Sequence, residues 1–195
     1  MRGKKTLFLV LLLLVLVMGG AYMLYGKLSA GVETESLSAQ ETGDAEDAGD
    51  AGTAEEVSLA PDFTVYDAEG NEVHLSDYAG SPVVLNFWAS WCGPCKSEMP
   101  DFNAAYQELG EEVQFLMINM TDGDRETMES ASAYVEEQGF TFPVFYDTET
   151  DAALAYGAYS LPTTYFIDAD GYAVARGVGA LSAETLQQGI DMILP

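Results

Sequence analysis

The chain has 195 residues, with 7 Lys and Arg against 32 Asp and Glu, and a formal net charge of −25 at pH 7. That balance repels phosphate backbones and excludes nucleic acid as a partner; the charge serves solubility and keeps copies apart, so a monomer is expected. Cys92 and Cys95, with the lone His74, are too few for a disulfide scaffold or a four-ligand zinc site, so no metal is expected.

In chain order, residues 1–5 form a short basic stub carrying Arg2, Lys4 and Lys5. Residues 6–25 are almost wholly apolar, and about 20 residues at a rise of ~1.5 Å cross a hydrocarbon core of roughly 30 Å. A transmembrane signal anchor with the stub on the cytoplasmic side is expected. The alternative is a signal peptide cleaved at Gly19-Gly20-Ala21 or Leu28-Ser29-Ala30, which would give a secreted protein. Both place the rest of the chain outside the cytoplasm. Residues 26–57 are acidic and rich in Ala, Gly, Ser and Thr; they hold too little apolar surface to fold and are expected to form a disordered tether.

A folded domain is expected over 58–195. Ala60–Tyr66 and Glu72–Leu75 flank turn residues and predict an N-terminal β-hairpin. Ser76–Gly80 is a short helical turn or loop. Val83–Ala89 is apolar except for Asn86, as a strand buried on both faces requires. Gly93–Leu109 reads as a helix that Pro100 should kink. Val113–Asn119 is a second central strand, and Asp124–Gln138 a polar-faced helix stopped by Gly139. Pro143–Tyr146 is extended and Asp151–Tyr156 a short helix. Thr163–Asp168 and Tyr172–Val178 form a hairpin, and Ala183–Leu194 a closing amphipathic helix. Strands alternating with helices, then a hairpin and a helix, predict an α/β domain: a central mixed β-sheet flanked by helices.

The chemistry is concentrated at Trp91-Cys92-Gly93-Pro94-Cys95, between a strand and a helix. A CxxC in that setting is a redox dithiol. A helix N-terminus lowers a thiol pKa from about 8.5 into roughly 3.5–7.5, which makes Cys92 the nucleophile. Cys95, one turn further in, is less exposed and would resolve the mixed disulfide. Pro94 suits the first turn, and Trp91 offers an apolar platform. No cofactor is expected beyond a redox-active Cys92–Cys95 disulfide. Asn86 and Glu98 are candidates for proton handling: a partly buried Glu98 would titrate high and exchange a proton with Cys95, whereas a solvated Glu98 would do nothing of the kind.

These residues resemble the thioredoxin superfamily, and most closely the membrane-tethered TlpA/ResA-type thiol-disulfide oxidoreductases of AhpC/TSA–redoxin-like kind. The resemblance runs from Ala60-Pro61-Asp62-Phe63 through Gly80–Pro100 to Leu161-Pro162-Thr163-Thr164 and Asp168-Ala169-Asp170-Gly171. It implies a thioredoxin-like fold with Asp122–Asp147 as a helix-containing central insertion. It implies a cis Pro162 facing the disulfide, with Leu161 pairing its backbone to an extended client. Cytosolic thioredoxins carry a buried Asp where Asn86 stands, and the tethered subfamily places a functional Glu at the position of Glu98. Trp91, Gly93, Pro94, Leu161 and Pro162 are thus the expected substrate-binding residues, and Cys92, Cys95 and Glu98 the catalytic ones.

The expected activity is reduction of protein disulfides outside the cytoplasm, in cytochrome c maturation or a related thiol-reduction pathway. Electrons would come from a membrane thiol carrier of CcdA/DsbD type. Gly93-Pro94 departs from the dipeptides common in members devoted to cytochrome c. The alternatives are a thiol peroxidase of redoxin type, which would favour Thr-x-x-Cys where this chain has Ser90 and Trp91 before Cys92, and a non-catalytic binding module.

Overall fold

The computed structural model describes residues 58–195 and the two residues at 38–39. The expected stub 1–5, anchor 6–25 and most of the tether 26–57 lie outside the described residues. Among the described residues, no helix is long and apolar enough to cross a membrane.

The strands are β1 (Ser38–Ala39), β2 (Ser58–Leu59), β3 (Thr64–Tyr66), β4 (Glu72–His74), β5 (Val83–Trp88), β6 (Gln114–Asn119), β7 (Val144–Tyr146), β8 (Thr163–Ile167) and β9 (Tyr172–Val178). The helices are α1 (Gly93–Leu109), α2 (Met128–Gln138), α3 (Asp151–Ala155) and α4 (Ala183–Ile193), with a 3-10 turn at Leu75–Tyr78. They build one mixed sheet in the order β1-β9-β8-β5-β6-β7-β3-β4, and β2 also pairs with β9. The expected hairpin is present as β3–β4, and β3 joins the sheet through Tyr66 opposite Tyr146 of β7.

The apolar run at β5 becomes the central strand, with all six residues buried. It lies parallel to β6 and antiparallel to β8. Side chains alternate across a strand, so its two faces feed two cores. Val84 and Trp88 pack with Met99 and Phe102 of α1, Ala131 of α2, and Leu186, Ile190 and Ile193 of α4. Val83, Leu85 and Phe87 pack on the other face with Phe63, Val65, Ala152, Ala153 and Tyr156. Asn86, between Val84 and Trp88, therefore points toward α1. That parity places the one polar residue of β5 under the helix that carries the cysteines.

One expectation needs correction. The second long helix begins at Met128, not Asp124. Asp122 Oδ1 accepts the N–H groups of Asp124 and Glu126, each at 2.9 Å, and so holds the intervening residues in a turn. Thr127 then caps α2 in a reciprocal box with Ser130, and Gly139 ends it at φ 69°. Pro100 lies inside α1, which spans Gly93–Leu109 as expected. Pro100 lies on the exposed side of the helix. Within the span 26–57, Ser38–Ala39 pairs with Arg176 and Ala175 of β9. An edge strand offers unpaired N–H and C=O groups to any nearby backbone.

Helix α4 approaches the sheet at Gly189, where an added Cβ would overlap the Phe166 ring of β8. Both residues are buried, so the ring has little room to yield. Gly189→Ala is expected to destabilise the domain by about 1–3 kcal/mol despite its better helix propensity. Urea unfolding checks this, and an unchanged midpoint would show that the ring moves aside.

Candidate active site

Cys92 stands where β5 hands over to α1, at the carboxyl end of the parallel β5–β6 pair, the region where open α/β sheets commonly bind ligands. It is the N-cap of α1, with φ −80° and ψ 108°, and Pro94 lies in the first turn. Its Sγ accepts the N–H of Cys95 at 3.2 Å, and its carbonyl accepts the N–H of Lys96 at 3.1 Å. Cys92 and Cys95 are joined as a disulfide with a Cα–Cα distance of 5.3 Å. Cys92 is 4% exposed and Cys95 is fully buried, as the order of attack requires. On reduction, the Cys95 N–H and the helix terminus face the Cys92 sulfur and favour its thiolate.

Glu98 lies one turn beyond Cys95 on the inward side of α1 and is 1% exposed, so it is not a solvated surface acid. Its Oε1 accepts Asn86 Nδ2 at 2.9 Å, and its Oε2 accepts the Leu181 N–H at 2.8 Å. Burial pushes its carboxyl up to about 7; those two hydrogen bonds pull the other way, and Asp101 adds to the rise. Asn86 is opposite Thr164 in the β5–β8 register and donates to Thr164 Oγ1 at 3.0 Å, while its Oδ1 finds no partner among the described residues. A carboxyl that titrates near neutrality beside a buried thiol can take that thiol's proton and return it.

A cavity of about 730 Å³ opens over the disulfide. Trp91, Cys92, Gly93, Pro94 and Leu161 line it, which brings five of the expected site residues together. The Leu161–Pro162 peptide is cis. Pro162 itself is buried behind Leu161, and its carbonyl accepts the Gly179 N–H at 2.9 Å. Among the described residues, nothing pairs with the Leu161 N–H or C=O. The far wall comes from residues the sequence did not single out: Met120, Leu154 and Tyr159, the last 83% exposed. Arg125 was visible only as one of three cations beyond Lys27; its guanidinium lies 3.7 Å from the centre of the Trp91 ring. Trp91 is 41% exposed at the rim, an amphipathic surface for a partner chain.

Comparisons with known proteins agree with a redox dithiol in this domain. The AhpC/TSA family model matches residues 58–175. The chain is 38% identical over 141 residues to the thiol-disulfide oxidoreductase ResA of Geobacillus thermodenitrificans, covering 71% of this chain and 78% of that one. It is 30% identical over 197 residues to ResA of Bacillus subtilis, covering 100% of this chain and 97% of the relative. A putative thiol:disulfide interchange protein DsbE from Chlorobium tepidum superposes with TM-score 0.63 at 31% identity, over 71% of this chain and 97% of that one. A DsbF homologue from Corynebacterium diphtheriae gives TM-score 0.64 at 27% identity, over 83% and 94%. The chain therefore belongs to the AhpC/TSA family, among its ResA-type thiol-disulfide oxidoreductases with the thioredoxin-like fold.

Proposed function

We propose that this thiol-disulfide oxidoreductase reduces disulfides in protein clients outside the cytoplasm. It would be held there by residues 6–25 and recharged by a membrane thiol carrier of CcdA/DsbD type. The observation that carries the proposal is the pairing of a helix-capping sulfur, Cys92, with a buried carboxyl, Glu98, one turn behind Cys95.

In the reduced enzyme the Cys92 thiolate attacks one sulfur of the client disulfide. A Cys92–client S–S bond forms, and the other client sulfur leaves as a thiolate that takes a proton. Cys95 then gives its proton to the Glu98 carboxylate and attacks Cys92 Sγ. The mixed disulfide breaks, the second client thiolate leaves, and the Cys92–Cys95 disulfide is formed. Two electrons have passed to the client, and the carrier's dithiol restores them to the enzyme. The client segment would lie extended against Leu161, whose N–H and C=O are available for strand addition. The apolar wall of Met120, Leu154 and Tyr159 would take a client side chain next to the reacting cysteine.

A titration of the Cys92–Cys95 couple against glutathione buffers tests the direction. The expected potential is near thioredoxin's value of about −270 mV, and a value above about −180 mV would overturn the reductase assignment. In intact cells, Cys92 should react with a membrane-impermeant thiol reagent after mild reduction; protection until lysis would overturn the location.

A further inference from the structure

Glu126 is fully buried, yet the dithiol relay makes no use of it. Three neutral donors converge on its carboxylate. The Ser90 N–H and Asn119 Nδ2 each reach Oε1 at 2.7 Å, and the Ser90 hydroxyl reaches Oε2 at 2.7 Å. All three partners donate, so the pocket is fitted to an acceptor-only group. The backbone beneath is closed on itself: the Glu126 N–H donates to Asp122 Oδ1 and the Glu126 carbonyl accepts the Gly123 N–H, each at 2.9 Å. The side chain is thus projected inward from a braced turn.

What it reaches is the approach to the nucleophile. Ser90 and Trp91 are the two residues between the apolar run of β5 and Cys92. The turn they occupy is closed by the Cys92 N–H on the Ala89 carbonyl at 3.1 Å. Glu126 holds Ser90 from inside, and its neighbour Arg125 covers Trp91 from outside at 3.7 Å. Asn119, at the end of β6 and opposite Trp88, ties the same carboxylate to the sheet. Consecutive residues of the insertion therefore grip consecutive residues of the cysteine loop.

We propose that Glu126 is a positioning residue for thiol-disulfide exchange: it fixes the Ser90–Trp91 loop, and through it the direction in which Cys92 Sγ faces the cavity, and its buried charge tempers the Cys92 thiolate. Small displacements of a reacting atom cost large factors in rate, so a rigid approach to the sulfur has kinetic value. The charges around Cys92 divide clearly. The α1 N-terminus, Arg125 and Lys96 favour the thiolate, and Asp122 opposes it. Arg125, Lys96 and Asp122 are exposed and screened by water. Glu98 lies behind Cys95 on the other side of the helix turn. Glu126 acts from a dry site, where a charge is felt further. The inference concerns exchange at Cys92 and holds whichever way electrons flow, so its failure leaves the reductase proposal standing.

The test uses the full chain with Glu126→Gln, which keeps an acceptor oxygen for Ser90 and loses the charge. The rate of Cys92 alkylation by iodoacetamide in the reduced protein is followed against pH. The expected midpoint falls by about one pH unit, the scale on which one poorly screened neighbouring charge acts, giving ~10-fold more thiolate at pH values below the midpoint. A folded variant with an unmoved midpoint would overturn the charge role. Ser90→Ala is the second variant; it removes the hydroxyl donor and keeps both the carboxylate and the backbone bond. Its exchange rate with 5,5′-dithiobis(2-nitrobenzoic acid) is expected to fall several-fold at unchanged melting temperature. An unchanged rate would overturn the positioning role, and this variant decides the matter if Glu126→Gln does not fold.

Discussion

Cys95→Ala is expected to convert the relay into a trap. Cys92 keeps its place at the N-cap of α1, and the N–H that reaches its sulfur belongs to the backbone of residue 95, so alanine preserves it. The first attack on a client therefore proceeds. The second attack has no agent, because the chain holds no third cysteine. Turnover should fall by roughly 10³-fold or more, the scale on which loss of a covalent-catalysis partner acts. A mixed disulfide between Cys92 and the client should accumulate in its place. Non-reducing electrophoresis followed by mass spectrometry of the adduct would read this, and the trapped sequences would name the clients. Retained turnover, or no adduct at Cys92 under native conditions, would sink the two-cysteine relay. Truncating the fully buried Cys95 side chain by one sulfur should cost about 0.5–1.5 kcal/mol of stability relative to the reduced wild type, too little to unfold the domain.

Most of the sheet was legible because burial on both faces leaves a mark that few other arrangements leave. The run Val83–Trp88 had to be central, and the structure buries all of it. The hairpins β3–β4 and β8–β9 followed from turn residues between short apolar runs. What failed were places where a side chain competes with the backbone pattern. Asp124, Arg125 and Glu126 carry helix-compatible charges, but the Glu126 carbonyl that a helix would pair with the Ser130 N–H accepts the Gly123 N–H instead, and Ser130 donates to Thr127 Oγ1. The register of Ser38–Ala39 against β9 is one that no residue type announces.

The site divides the same way. Cys92, Cys95 and Pro94 are identified by spacing, and the cis Leu161–Pro162 peptide by resemblance rather than by any local signal. For Glu98 the residues alone left a buried and a solvated acid open and the resemblance favoured the functional one; its burial against Asn86 beneath α1 is a matter of strand parity. Its second partner, the Leu181 N–H, comes from a loop 83 residues away and has no sequence signature. Glu126 was hidden among 32 acids. Only its position just past the end of β6, where the insertion turns back over the cysteine loop, distinguishes it, and that position is a product of topology.

Glu98→Gln is expected to separate stability from activity. Burial raises the Glu98 carboxyl from 4.5 to about 7, so its folded value lies above its unfolded value. Below about pH 4.5 both states hold the proton and the group is neutral in the balance. Between there and about pH 7 the unfolded chain releases the proton while the native protein keeps it, so stability falls as pH rises. Above pH 7 the native state carries a buried carboxylate, at a cost on the order of 3 kcal/mol. Glutamine removes that cost. It still accepts the Leu181 N–H, and its own amide can donate to Asn86 Oδ1, which has no partner among the described residues, once the Asn86 amide turns over. Urea unfolding at pH 8 should therefore show the variant more stable by about 1–3 kcal/mol, with the fall in stability between pH 4.5 and 7 flattened. Exchange should slow by about 10²-fold near neutral pH, because Cys95 has lost its proton acceptor, and recover toward alkaline pH as solvent takes over. A variant whose pH–rate profile matches the wild type would assign Glu98 to packing alone. A variant destabilised at pH 8 would show that the carboxylate is held by its two donors more firmly than burial opposes it. The opposite result, stabilised and slow, would mean that the domain retains an acid it would be more stable without, at the one place where a buried thiol must lose its proton.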